Sequence, residues 1–400
     1  MSTVRPVTLE RPTAAPLTSV ESFRLYRLAI WALLVAKLVA GWGVQWDIQW
    51  HVLIGRDTFW IAPHVMTYAG VAAAVLISFG VLAFDTGRRL FAGREPTGSR
   101  RVLWLTGTLG FHVAAWGIAL TVLAAPIDDL WHRLFGLDVT LWSPPHLLGL
   151  FGAAANTFAC FFIAREAYPR ERWRHDIVCL IAAATFYGTL ATALQPSGRF
   201  AYLYGGLWFY TYPILAALLL PLGLVTPGRL IGRRWAPLAI LALMIVVGLT
   251  GATIARIGFE ALKPVSVIQD EILKDPNSPI AVAHAIARKN GVTPGTPPGG
   301  FIGLLLSFVP VALLAVIDPR RRPVAGTLVY ALGVFAMWLT RVGRTPAFQP
   351  MMPSWETTTV ALVITLGTAL VGAVAARWVA DVVMRATEFS PTEEGHWCGR

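Results

Sequence analysis

Apolar residues along this chain come in long runs rather than in the three-to-four-residue rhythm of a helix resting on a soluble core. Ten runs are long enough to cross a bilayer, which needs roughly 20 apolar residues per helix. They fall near 25–47, 62–84, 103–125, 145–164, 177–195, 203–225, 236–258, 301–317, 324–340 and 357–379. Between them lie short polar connections, except for one long stretch at 260–300. Within that stretch, 279–289 has the pattern of a short amphipathic helix, followed by the Gly/Pro-rich GVTPGTPPGG. It reads as a connector, with a lid or docking surface as the alternative. The pattern predicts an all-α, polytopic membrane bundle of about ten transmembrane helices.

Composition agrees. Hydrophobic residues make up 56% and charged residues 14%, against about 25% charged in soluble domains. Mean hydropathy is +0.60. The three Cys (Cys160, Cys179, Cys398) form no C-x-x-C pair, so neither a disulfide scaffold nor a thiolate metal site is expected. The net charge of +11 raises the question of nucleic acid, and its distribution answers it. Of 33 basic residues, 22 fall on or beside one set of alternate connections and nine on the other; Lys37 and Arg256 lie within spans. That asymmetry orients a membrane protein. It predicts cytoplasmic N- and C-termini in the cell (inner) membrane, contact with anionic lipid, and no nucleic-acid partner. The expected layout is a disordered cytoplasmic tail (1–23), a first membrane unit (24–165), a further bundle (166–380) and a second cytoplasmic tail (381–400). Trp42, Trp46, Trp50, Trp60, Trp131 and Trp142 gather at the predicted outer ends of spans 1–4, where an aromatic belt accounts for them.

The first unit contains a repeat. WDIQWHVLIGRDTFWIAPH bridges spans 1 and 2, and DDLWHRLFGLDVTLWSPPH bridges spans 3 and 4. Both carry Asp four residues before His (Asp47–His51, Asp128–His132), then Gly (Gly55, Gly136), Asp (Asp57, Asp138) and a closing Pro-His (Pro63-His64, Pro145-His146), with one extra residue in the second. With 11 Asp and 8 His in 400 residues, about 0.2 Asp-x3-His pairs are expected by chance. On a helix, i and i+4 share a face, so each pair sets a carboxylate beside an imidazole, and the Pro-His brings a second imidazole from the next helix. Asp47/His51/His64 and Asp128/His132/His146 are thus two candidate 2-His-1-carboxylate metal sites, merging into one paired centre if they face each other. The donors suit copper, iron or zinc. Asp57, Asp138 and Asp129 are candidates to hold a ligand imidazole from behind, with Asp129 also an alternative to Asp128. Water and lipid phosphate also satisfy Asp and His at helix ends, and that plainer reading stands beside the metal one.

These residues resemble the C subunit of the copper membrane monooxygenases, the particulate methane and ammonia monooxygenase family, over roughly residues 25–165. That subunit carries Asp-x3-His-x12-His and Asn-x3-His-x13-His copper sites. Asp47, His51 and His64 match the first; His132 and His146 match the second, with Asp128 where the family has Asn. The resemblance implies a copper unit, monooxygenase-like oxidation of a small apolar substrate, and further membrane subunits or a homo-oligomer. The residues alone also allow a zinc-dependent membrane hydrolase or a metal or proton transporter.

Other polar residues draw plainer expectations. His112 in mid-span 3 reads as a packing histidine, with haem ligation or proton relay second, and Lys37 as an internal polar contact. Arg256 and Glu260 read as a partly buried ion pair, and His175, His284 and His396 as loop or tail residues. Met351-Met352 is a weak soft-metal pair.

Overall fold

The computed structural model describes residues 20–55, 58–135, 140–168, 173–295 and 300–387. The chain forms α1 (Val20–Leu53), α2 (Ala62–Ala92), a small hairpin of β1 (Arg100–Val102) and β2 (Leu105–Gly107), α3 (Leu109–Phe135), α4 (Pro144–Ala167), α5 (Trp173–Ala193), α6 (Ser197–Tyr204), α7 (Thr211–Ile231), α8 (Ala236–Leu262), α9 (Ile268–Lys274), α10 (Pro279–Lys289), α11 (Gly300–Leu306), α12 (Phe308–Ile317), α13 (Pro323–Met337) and α14 (Trp355–Ala386). Among the described residues nine helical stretches are long and apolar enough to cross a membrane. The architecture is an all-α, multi-pass bundle.

The expected span at 301–317 is instead two short apolar helices broken at Ser307. Pro310 is the physical reason, since its ring excludes the carbonyl one turn earlier and removes a backbone donor. The expected span at 103–125 starts late for a different reason. Residues 100–107 pair as an antiparallel hairpin, which folds against α2 through the Thr106 amide donating to Thr86 Oγ1 at 2.8 Å. His112 therefore lies in the first turn of α3 rather than mid-span, with its Nε2 3.0 Å from the Arg100 carbonyl.

Packing repeats along with the sequence. A methyl group at Gly70 would lie 2.5 Å from the Ala40 nitrogen and 2.6 Å from the Ala36 oxygen; at Gly152 it would lie 2.6 Å from both the Thr121 nitrogen and the Gly117 oxygen. Ala36 and Gly117 are 81 residues apart, like His51 and His132, while Gly70 and Gly152 are 82 apart, like His64 and His146. The α1–α2 and α3–α4 pairs thus share one backbone-to-backbone register, which sets the height of the second histidine against the first helix.

Two buried carboxylates at the opposite end of this unit are bonded within the protein, as intramembrane ionisable groups usually are. Tyr26 donates to Asp85 at 2.7 Å. Glu166, at the end of α4, accepts from Thr108 Oγ1 at 2.6 Å and from the Gly110 amide at 2.9 Å, closing the start of α3. The large core cluster runs between these helices and α5, α7 and α8, with Phe111, Phe161, Ile30 and Leu33 fully buried.

Candidate metal centres

Asp47 and His51 occupy successive turns at the end of α1, and Asp128 and His132 do the same on α3. The extended backbone at Ile61 and Ser143 breaks the chain just before α2 and α4. Pro63 and Pro145 then stand in the first turn, where a missing amide hydrogen costs nothing. His64 and His146 follow as the third residue of their helices.

The structure brings each sequence-predicted triad together. His51 Nε2 lies 3.6 Å and His64 Nε2 3.1 Å from Asp47 Oδ1. In the second triad, His132 Nε2 lies 3.3 Å from Asp128 Oδ2 and His146 Nε2 3.4 Å from Asp128 Oδ1. The two imidazoles stand 6.4 Å apart between ring centroids in both triads. All three ligand atoms of each triad fall within 4.8 Å of one another, as two separate groups of three. Donors about 2.0–2.1 Å from a tetrahedral ion stand roughly 3.3 Å apart, which the Asp–His edges already match. The side chains are 17–30% exposed, leaving room for further ligands.

His146 says most about what the second triad is built for. Its Nδ1 lies 2.7 Å from the Thr140 carbonyl, an acceptor only, so Nδ1 carries the hydrogen. Nε2 is thereby left facing Asp128 Oδ1 at 3.4 Å, where either a second N–H in an imidazolium–carboxylate ion pair or a metal ion held between the two atoms satisfies the contact. Carbonyl bonds of this kind fix ligand tautomers at metal centres.

Other candidates resolve differently. Asp129 points away and pairs with Arg133 at 2.7 Å, because neighbouring helix positions differ by about 100°. Asp57 and Asp138 lie outside the described residues, as do His396 and Cys398. Arg256 and Glu260 pair at 3.1 Å but are two-thirds exposed rather than partly buried. Lys37 is buried near Cys160. His284 lies in α10, not in a loop.

His175, expected in a loop, lies in α5 instead. It is fully buried, with Nδ1 3.2 Å from Asp176 Oδ1 and Nε2 3.7 Å from Cys179 Sγ. The residue types suit nucleophilic catalysis, but Cys179 is fully buried and a substrate cannot reach it. The i,i+4 spacing of His175 and Cys179 was the available signal.

Comparison of the chain with protein-family models, curated proteins and solved structures finds no match to any of them.

Proposed function

We propose that this membrane protein holds one copper ion in each Asp/His/His triad and uses copper to oxidise a small apolar substrate arriving through the bilayer. The convergence of one carboxylate and two imidazoles within 4.8 Å, repeated in both helix pairs, carries the metal half of the reading, and the Thr140 carbonyl bonded to His146 Nδ1 leaves Nε2 of that ring directed at Asp128. Copper is favoured by the donors, two imidazoles and a carboxylate without thiolate, since copper(II) binds nitrogen–oxygen sites most tightly of the first-row divalent ions. The likeness of both motifs to the copper membrane monooxygenases supports the same choice.

Copper would supply the redox chemistry. One atom of dioxygen enters a C–H bond and the other leaves as water, with two electrons and two protons from an external reductant of the quinol class. The residues of the chain hold the ion, leave part of its surface open and keep bulk water away with apolar spans. The excess of basic residues on the opposite connections supports an extracytoplasmic position for the centres in the cell membrane. Further membrane subunits or a second copy would complete the assembly.

Metal transport finds less support. His112 is tied to the Arg100 carbonyl, and Lys37 is enclosed in the core, so a polar path from the triads to the other end is sparse. The test is metal analysis of protein purified in nanodiscs without chelator, with incorporation of labelled oxygen from dioxygen into a short-chain hydrocarbon. Stoichiometric copper and labelled product are expected. Stoichiometric zinc without oxygen incorporation would replace oxidation by hydrolysis, and weakly held, exchangeable metal would replace it by transport.

A further inference from the structure

The two triads share residue types and spacing, yet their surroundings differ. Behind the first, α1 packs on α8. Trp42 and Gln45 donate to the carbonyls of Val247 and Gly248, at 3.0 and 2.9 Å. Trp46 and Trp50 are buried against Phe259, whose ring stacks on Trp50 at 5.7 Å. A side chain at Gly258 would collide with the Trp46 indole. The equivalent positions on α3 are Leu123, Pro126, Ile127 and Trp131; Leu123 is 50% and Ile127 36% exposed.

The segment after α8 adds a second difference. It returns to the end of α1, one residue past His51, and closes carbonyls that a helix end leaves open. His284 Nε2 lies 2.7 Å from the Val52 carbonyl, Ser266 Oγ donates to Leu53 at 2.7 Å, and the Val267 amide donates to Ile54 at 2.8 Å. The far side of the segment is fastened as well. Arg199 donates to the Asn277 carbonyl at 3.1 Å, and the Ala347 amide donates to Asn290 Oδ1 at 2.8 Å. A strap thus runs from the remainder of the bundle to the last turn of α1.

We infer that this strap makes the two centres inequivalent: His284 and Ser266 are positioning residues that lock the Asp47–His51–His64 centre into slow metal release, while the Asp128–His132–His146 centre exchanges its metal readily. The inference rests on the metal reading above. An imidazole held one turn from its carboxylate partner loses no order when the ion leaves, so release must break a preformed ligand set. Among the described residues no comparable strap reaches the last turn of α3.

The experiment uses full-length protein in nanodiscs loaded with copper(II). His132→Ala/His146→Ala isolates the first centre and His51→Ala/His64→Ala the second, and release to excess EDTA is timed for each. The first centre is expected to release copper about 10-fold more slowly, and His284→Ala in that background to remove most of the difference, in line with the cost of losing a supporting hydrogen bond. His284→Gln, whose amide reaches the same carbonyl, restores slow release and the electron paramagnetic signature of the first centre. Ser266→Ala acts in the same direction should His284→Ala fold poorly, and His284→Ala leaves the second centre unchanged. Copper bound at both centres with equal release rates, or a His284→Ala effect on both alike, overturns the inference while leaving metal binding intact. Failure of either isolated centre to bind copper overturns both readings.

Discussion

Gly70 of α2 rests directly on the backbone of Ala36 in α1: a methyl group there would stand 2.6 Å from the Ala36 carbonyl oxygen. Gly152 stands in the same relation to Gly117 in the second helix pair. Neither backbone can yield without separating its helices. Gly70→Ala is therefore expected to cost about 1–3 kcal/mol, the usual range for overpacking. It should also lift His64 away from Asp47, weakening copper binding at the first centre, while Gly152→Ala does the same at the second. Titration of copper into the two single-centre backgrounds checks this, and each glycine should affect its own centre alone.

Glu166 is the counterpart at the other end of the unit, where it accepts from both Thr108 and Gly110. Glu166→Leu strands two buried donors, at about 1–3 kcal/mol for each group left unsatisfied. Thermal unfolding in detergent should show a large loss for Glu166→Leu and a smaller one for Glu166→Gln, which keeps an acceptor. Copper stoichiometry at the far end should not change in protein that remains folded.

The connection between α12 and α13 gives a pH-dependent expectation. Asp318 accepts from Arg320 Nε and Nη2, both at 2.7 Å, and this holds its carboxyl below the ordinary carboxylate value. Folding lowers the pKa, so the contribution to stability is fully present above the unfolded carboxylate value of about 3.9. It fades as pH falls from there through the depressed folded value. Asp318→Asn should flatten the acid side of the stability profile in that window and leave neutral-pH chemistry unchanged. Unfolding followed between pH 6 and pH 2.5 reads the difference.

Much of this molecule could be read from its residues, for physical reasons. Apolar runs reveal spans because a bilayer forces every backbone group to bond within its own helix. The triads were legible because i,i+4 spacing and a Pro-initiated helix leave local geometry little freedom, so Asp47, His51 and His64 had few places to go. What escaped depends on contacts distant in sequence. The hairpin at 100–107 rests on Thr86, and the anchoring of α1 rests on His284, 232 residues from its partner Val52. The separation of the triads into two centres likewise follows from how the helix pairs pack. His175 was misplaced because its span begins earlier, at Trp173, than hydropathy alone indicated.

Metal content per chain tests the central claim most directly. Protein expressed with ample copper and purified in nanodiscs without chelator should carry two copper ions. That number should fall to one in His51→Ala/His64→Ala, to one in His132→Ala/His146→Ala, and to none in the four-fold variant, with each variant still folded by circular dichroism. Wild-type protein free of bound metal under these conditions, or a copper content unmoved by the four-fold substitution, would contradict it.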